Sequence, residues 1–175
     1  MKLLTCIFLF ISLPMLSQEI ETLSWDEARI NDKIALTISQ AEFEKRHRPD
    51  SITAPNMGEI CGDETNTTAK MLHYKGLKFE LNDGMLSFRR IDFTKRKGLY
   101  FSIKDDWFDH TTTLKSFSKT YPEASHYIVD VGTDDDDVIL EMISLLPAKA
   151  DDRYEWQFFF KDERLQAIEC FLACD

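Results

Sequence analysis

The dipeptide Asp83-Gly84, inside the alternating segment 76–93, constrains the fold more than any other feature of the chain. Asp-Gly between alternating apolar and polar residues is a strong short-range signal for a β-hairpin, because glycine tolerates the positive φ of a type I′ turn. Apolar side chains then share one face and polar side chains the other, so we expect one packed and one solvated face. The turn predicts three cross-strand pairs: Asn82 with Met85, Leu81 with Leu86, and Phe79 with Phe88.

A second predicted hairpin occupies segment 155–171. Asp162 stands in the place of Asp83, and Glu163 replaces the turn glycine Gly84. Aligning the two turns in this way also matches apolar positions of the two hairpins: Leu77 with Trp156, Phe79 with Phe158, Leu81 with Phe160, and Leu86 with Leu165. We interpret the likeness as an internal duplication; the alternative is that any two β-hairpins look alike by chance.

A short helical segment that ends at a proline precedes each predicted hairpin, at 39–49 and at 112–122. Ser39 begins the first with a capping-box pattern, in which its side chain accepts a hydrogen bond from a backbone N–H of the first turn. Proline stops each helix because it lacks the N–H that the next turn needs. We expect Phe43 and Phe117 each to place one aromatic ring on the sheet.

Together these elements predict an α+β fold, in which one antiparallel sheet is built from two similar helix-plus-meander units and the short helices pack on one face. The units cover about 33–103 and 104–175 and share a single domain. Further strands are predicted at 33–38, 99–103, 127–131 and 138–146.

Segment 1–17 predicts export. One positive charge precedes the apolar run 3–13, which is too short to cross a bilayer of about 30 Å but suits a secretory signal peptide. Pro14 ends the run, and Ser17 is a small residue suited to the position before cleavage. We expect a mature domain of residues 18–175 that is periplasmic or secreted and does not insert into the membrane. A retained membrane anchor is the alternative.

Tandem units of a helix followed by antiparallel strands, in a small exported protein, resemble the beta-lactamase inhibitory protein fold and the related SmpA-like outer-membrane assembly lipoproteins. The resemblance rests on the two helix-proline elements and the two hairpins, and covers most of the mature chain in plan. It implies a role in binding another protein or in assembly of the envelope. The resemblance assigns no binding residue to this chain.

Charge and composition exclude several classes of protein. The 175 residues carry 21 Lys and Arg against 31 Asp and Glu, a formal net charge of -10, so we expect no nucleic acid partner, because phosphates would be repelled. The 13 Phe residues need a packed interior, which excludes a disordered acidic chain. An acidic surface favours a partner protein that is basic.

Three cysteines remain after the predicted cleavage, Cys61, Cys170 and Cys174. Export to an oxidising compartment favours a disulfide between Cys61 and one of the other two. Three reduced, buried thiols are the alternative. A thiol nucleophile at Cys61 with a remote histidine is a further alternative, less favoured than a structural cysteine because nothing local orients a base.

Two segments are candidates for contact with a partner. Trp107 and Phe108, in the acidic segment 105–110, are expected in a loop, where they either fill the core or form an interface hot spot. The acidic run consists of Asp134, Asp135, Asp136 and Asp137, without the alternating spacing that binds calcium. It is interpreted as a hydrated loop, or as an acidic loop that steers a basic partner toward the protein.

The outward face of the second hairpin is a third candidate. Strict alternation places Phe159, Ile168 and Cys170 on that face, where the first hairpin has polar residues. Such a patch is either covered by a loop or exposed for a partner.

The sequence contains no nucleotide-binding, zinc-protease or serine-hydrolase motif, and its four histidines are isolated from one another. We therefore predict no catalytic residue, no metal site and no cofactor. The expected function is binding to another protein, as an inhibitor or immunity-type protein. The alternatives are an envelope assembly or scaffold factor and a hydrolase whose site is assembled from distant residues.

Overall fold

A computed structural model describes residues 21–56, 68–104, 106–132, 138–149 and 153–172. These residues are mostly β, with 54% of them in strands and 11% in helices. The two α-helices are α1 (Gln40–Glu44) and α2 (Leu114–Thr120), and a 3-10 turn spans Ala124–His126. Within the described part of the chain, no helix is both long and apolar enough to span a bilayer.

Fourteen strands are described, and they form two sheets. They are β1 (Thr22–Leu23), β2 (Ala28–Ile30), β3 (Ile34–Ala35), β4 (Thr37–Ser39), β5 (Ser51–Thr53), β6 (Lys70–Tyr74), β7 (Leu77–Asn82), β8 (Met85–Asp92), β9 (Tyr100–Ile103), β10 (Asp106–Asp109), β11 (Val129–Gly132), β12 (Ile139–Pro147), β13 (Tyr154–Lys161) and β14 (Arg164–Leu172).

The α+β expectation is wrong. The two helical segments form helices of only five and seven residues, and the chain builds a second sheet that the sequence patterns did not indicate. This four-stranded small sheet has the order β10-β9-β2-β3, and it includes strand Asp106–Asp109, where a loop was expected. The four further predicted strands each match a described strand or strand pair to within one or two residues.

The ten-stranded large sheet runs β5-β6-β7-β8-β14-β13-β12, with β11 and β1 both on β12 and β4 on β8. Two antiparallel meanders, β5 to β8 and β11 to β14, therefore meet at the β8–β14 pair. The contact joins Ala167 with Asp92, Ile168 with Ile91, and Glu169 with Arg90. In the sequence, Arg90 and Glu169 are as far apart as the aligned turn residues Asp83 and Asp162. Each meander therefore contributes the equivalent position to this strand pair. An origin by duplication stays a prediction.

The first hairpin forms as predicted, with Asn82 opposite Met85, Leu81 opposite Leu86, and Phe79 opposite Phe88. Asp83 and Gly84 both have positive φ, as a type I′ turn requires. The second hairpin turns at Asp162 and Glu163, which also have positive φ.

Both helices begin against the turn of a hairpin. The N–H of Gln40 donates to the carbonyl of Gly84 at 2.9 Å, and the N–H of Leu114 donates to that of Glu163 at 3.0 Å. Phe43 and Phe117 are buried, and their rings lie 5.6 Å from Phe79 and 4.8 Å from Phe158, respectively. The expectation that each short helix places one aromatic ring on the sheet is confirmed.

Aromatic side chains join the two sheets. Trp156 of β13 is fully buried, and its ring centroid lies 5.5 Å from Phe101 of the small sheet and 6.1 Å from Phe88 of the large sheet. Phe108 of the small sheet lies 5.4 Å from Phe158 of the large sheet. The core therefore lies between the inner faces of the two sheets, and Phe43 of α1 and Phe117 of α2 belong to it.

The turn between β6 and β7 packs tightly against the segment after β8. Gly76 has a φ of +88°, and a Cβ there would lie 2.8 Å from the carbonyl oxygen of Asp92. The N–H of Asp92 also donates to the carbonyl of Gly76 at 2.8 Å. Glycine is required here by both the backbone conformation and the close approach.

We expect Gly76→Ala to lower the free energy of unfolding by about 2 kcal/mol or more, since it adds a clash to the roughly 1–2 kcal/mol of the left-handed conformation. Gly98→Ala is the matched control, because Gly98 has a φ of +83° but nothing within 4 Å of a Cβ. Urea unfolding curves measure both. Equal losses in the two variants would show that the contact at Gly76 has no effect.

Candidate functional site

The outer face of the small sheet carries an exposed tryptophan. Trp107 in β10 pairs with Ser102 in β9, while the next residue, Phe108, pairs with Phe101 and points into the core. Because side chains alternate along a strand, Trp107 faces solvent and 66% of it is exposed. Large aromatic rings are seldom left this exposed, so the position is a candidate for contact with another molecule.

The hairpin turn between β2 and β3 supplies the next part of the site. Asn31 and Asp32 both have positive φ, as in a type I′ turn, and this presents Asp32 to the neighbouring strand. The hydroxyl of Tyr100 donates to Oδ2 of Asp32 at 2.6 Å, and the N–H of Tyr100 donates to Oδ1 of Asn31 at 2.9 Å. Hydrogen bonds from Tyr100 and Ser102 lower the pKa of Asp32, and the hydrogen bond to Asp32 raises the pKa of Tyr100. Asp32 therefore stays ionised.

These residues line a cavity of about 400 Å³, the Trp107 cleft. Its lining residues are Asp32, Tyr100, Ser102, Lys104, Asp106, Trp107 and Asp109. Lys104, the one basic residue in that lining, lies 3.3 Å from Glu27, which offsets its charge. Three carboxylates then surround an indole ring and a phenol ring. Carboxylates next to exposed aromatic faces favour a cationic group, such as a lysine or arginine side chain of a partner.

A second cavity, of about 310 Å³, lies on the side of Trp107 toward α2. Asp106 and Trp107 line both cavities. In the second cavity they face Phe117 of α2 and the threonines that flank that helix. The Trp107 side chain thus separates the two cavities, and a partner that entered both could contact both faces of its ring.

The structure separates the two aromatic residues that the sequence placed together. Phe108 is 4% exposed and contacts core rings, with centroids 5.9 Å from Phe117 and 6.1 Å from Tyr121. Its prediction as a contact residue is wrong, since strand geometry puts neighbouring residues on opposite faces. Burial raises the pKa of Tyr121 to about 12, with smaller effects of Asp106 and Glu21.

Ile168 is also wrongly predicted as a surface residue. The register of β13 and β14 shifts between Phe159, opposite Ala167, and Phe160, opposite Leu165. This β-bulge inserts one extra residue and reverses the alternation beyond it, so Ile168 and Cys170 turn inward, at 0% and 4% exposed. Strict alternation could not reveal the bulge.

Phe159 is half-buried on the outer face of the large sheet. The guanidinium of Arg90 lies 5.6 Å from its ring centroid, a cation–π contact that covers part of the ring. Phe171, on the same strand pair, is 46% exposed. The predicted outward apolar patch therefore reduces to these phenylalanines, with Arg90 on one of them.

Several predicted residues lie outside the described part of the chain. These are the signal segment 1–17, Cys61, Cys174 and the acidic run Asp134 to Asp137. Cys170 is buried, and the predicted disulfide stays a prediction. The strands on either side of the acidic run expose apolar side chains, Val129 at 50% and Ile139 at 65%.

A buried ion pair lies away from the Trp107 cleft. Arg89, only 7% exposed, donates from its guanidinium to Glu80, and its Nε meets no hydrogen-bond acceptor in the described residues. Both side chains line a cavity of about 410 Å³ that also includes Trp25 and Phe88. Arg89 is the extra residue of the bulge in the first hairpin, which explains why an arginine sits among buried positions.

The described residues contain no group of three or more His, Cys, Asp and Glu side chains arranged to bind a metal ion. Two histidines have structural contacts: Nδ1 of His47 lies 3.2 Å from the hydroxyl of Tyr74, and Nε2 of His73 lies 3.1 Å from the hydroxyl of Thr53.

Comparison of the chain with protein-family models, curated proteins and solved structures found no match.

Sequence reasoning found Trp107 but missed Asp32 and Tyr100. The two are far apart in the chain and meet only because β9 pairs with β2. One local signal was present: Asn31-Asp32, in the three residues between the apolar positions Ile30 and Ile34, is a turn-forming pattern of short hairpins.

Proposed function

We propose that the chain is an exported protein that binds a basic protein partner through the Trp107 cleft, as an inhibitor or immunity-type protein. The observation that carries the proposal is Trp107 itself, 66% exposed between two cavities and flanked by carboxylates. The acidic composition and the apolar segment at the N-terminus support the same role. The resemblance to the beta-lactamase inhibitory protein fold stays a prediction, and the proposal does not depend on it.

The Trp107 cleft has the features of an interface hot spot. Trp and Tyr are enriched at such positions because they bury a large area with few rotatable bonds. Asp32 and Asp109 are held in place by hydrogen bonds, from Tyr100 to Asp32 and from the N–H of Thr111 to Asp109 at 2.7 Å. Carboxylates that are already oriented lose little entropy when a cationic side chain binds.

The test replaces Trp107 by the photo-cross-linking amino acid p-benzoylphenylalanine and irradiates an envelope extract of the source organism. We expect one predominant protein adduct, and we expect the same partner to bind Trp107→Ala at least about tenfold more weakly, a loss of about 1.4 kcal/mol or more. Higher NaCl is expected to slow association with the partner, because the cleft carboxylates are solvent-exposed. Surface plasmon resonance measures both effects.

Phe171→Ala is the matched control, since Phe171 is an exposed aromatic residue on the large sheet. It is expected to leave affinity within about twofold. A partner that binds wild type and Trp107→Ala equally, or an adduct that also forms with the cross-linker at position 171, would contradict the proposed site. Inhibition of the captured partner's own activity by the purified protein separates an inhibitor from an assembly factor.

A further inference from the structure

Basic residues are concentrated in one part of this acidic chain. Segment 70–104 carries nine Lys and Arg against three Asp and Glu, whereas the whole chain has 21 against 31. Three of the four strands in this segment, β6, β7 and β8, are consecutive in the large sheet. The segment therefore gathers positive charge on a protein of net charge -10.

Part of this charge surrounds a cavity of about 530 Å³, the basic cleft. The charged residues of its lining are Lys75, Lys78, Arg90, Lys95, Asp50 and Asp92. The volume is in the range of small-molecule sites in proteins. The walls come from the β6–β7 turn and from the end of β8 with the residues after it, and the hydrogen bond from the N–H of Asp92 to the carbonyl of Gly76 joins them.

The two acidic residues of the cleft are engaged by neighbouring groups. Oδ2 of Asp50 accepts a hydrogen bond from the N–H of Lys75 at 2.5 Å. Oδ1 of Asp92 accepts from the N–H and the hydroxyl of Thr94, at 2.9 and 2.6 Å. One oxygen of each carboxylate is therefore occupied by a backbone or hydroxyl donor.

Lys75 and Lys95 are the main source of positive charge in the cleft. Arg90 is paired with Glu169 at 2.6 Å, but neither Lys75 nor Lys95 forms an ion pair with any described residue. The ammonium of Lys75 lies 5.1 Å from the centroid of the Tyr74 ring, and both residues line the cleft. Burial, followed by the positive charges of Lys75 and Arg46, lowers the pKa of nearby His47, in agreement with a positive local potential.

We propose that the basic cleft binds a phosphate-type oxyanion, either free or as the phosphate of a lipid headgroup, at a site separate from the Trp107 cleft. The ammonium groups of Lys75 and Lys95 supply the charge, and both residues line the cleft near the backbone hydrogen bond between Asp92 and Gly76. Lysine suits this role because it is a strongly hydrated point charge with three donors. The site would let an acidic protein hold an anion that the rest of its surface repels.

The test uses the full chain and three probes, which are inorganic phosphate, pyrophosphate, and vesicles of phosphatidylglycerol with phosphatidylcholine vesicles as reference. We expect saturable shifts of the Lys75 and Gly76 amide signals in ¹H–¹⁵N NMR spectra with phosphate or pyrophosphate, or selective sedimentation with phosphatidylglycerol. A response to the free anions identifies a small-molecule ligand. A response to the vesicles alone identifies a headgroup.

The variant Lys75→Glu/Lys95→Glu is expected to weaken the response at least tenfold. Lys115→Glu/Lys119→Glu on α2 is the matched control, since it makes the same change in net charge at two exposed lysines and is expected to change affinity less than twofold. Lys75→Gln/Lys95→Gln serves if charge reversal disturbs folding, with an intermediate loss expected. Absence of a response at these amides and with vesicles, or equal losses in the test and control variants, would overturn the proposal.

Discussion

Replacement of Trp156 by alanine is expected to lower the free energy of unfolding by about 3–5 kcal/mol, as for other buried Trp or Phe residues that leave a cavity. Its ring contacts Trp25, Phe88, Phe101 and Tyr154, at centroid distances of 5.5 to 6.1 Å. The cavity would open between the two sheets, where few other groups can move in. Urea unfolding followed by far-UV circular dichroism measures the loss without depending on tryptophan fluorescence.

Trp156→Phe tests the reason for this loss. The indole Nε1 of Trp156 is buried without an acceptor among the described residues, so phenylalanine removes an unsatisfied donor while keeping an aromatic ring. We expect a loss below about 1.5 kcal/mol. Trp107→Ala, at an exposed position, is expected to stay within about 0.5 kcal/mol of wild type. Should the buried and exposed alanine variants unfold at the same urea concentration, the described packing between the sheets would be wrong.

Glu80→Ala is expected to cost about 3 kcal/mol of the free energy of unfolding, because it breaks a buried ion pair. The side chains of Arg89 and Glu80 are 9% and 18% exposed, so removal of the carboxylate leaves a nearly buried guanidinium without its ionic partner. Chemical denaturation at neutral pH measures the loss. The cost arises mainly from the unpaired charge rather than from the lost attraction.

A double replacement separates these two contributions. Glu80→Met/Arg89→Met removes both charges and retains side-chain volume, and we expect it to recover most of the stability lost in Glu80→Ala. Glu169→Ala breaks the more exposed pair with Arg90, whose side chains are 35% and 32% exposed, and should cost no more than about 1 kcal/mol. A double variant as unstable as the single one would mean that the unpaired arginine is not the cause.

Local patterns predicted the two hairpins because a two-residue turn fixes register by itself. Asp83-Gly84 set the pairing of β7 with β8, and the turn at Asp162 was found even without a glycine. The short helices were also located, since capping residues and prolines act within a few positions. Ser39 accepts the expected hydrogen bond from the N–H of Glu42 at 3.2 Å.

Features that depend on distant pairing were not predictable in the same way. The small sheet needs β2 to meet β9, which follows six intervening strands later in the chain, and no local pattern specifies that contact. The bulge near Gln166 reversed the expected faces of Ile168 and Cys170. In the candidate site, Trp107 was predictable from its place in the acidic segment 105–110, whereas its partners Asp32 and Tyr100 required the assembled sheet.

The pairing of β8 with β14 has a consequence for how separate chains associate. At its centre the arginine of one meander faces the glutamate of the other, Arg90 opposite Glu169. If two chains exchanged these strands so that β8 paired with β8 in the same register, two guanidinium groups would meet, and β14 with β14 would bring two carboxylates together. Like charges directly opposite each other destabilise a strand pair. The ion pair at this position therefore disfavours association of two molecules through β8 with β8 or through β14 with β14.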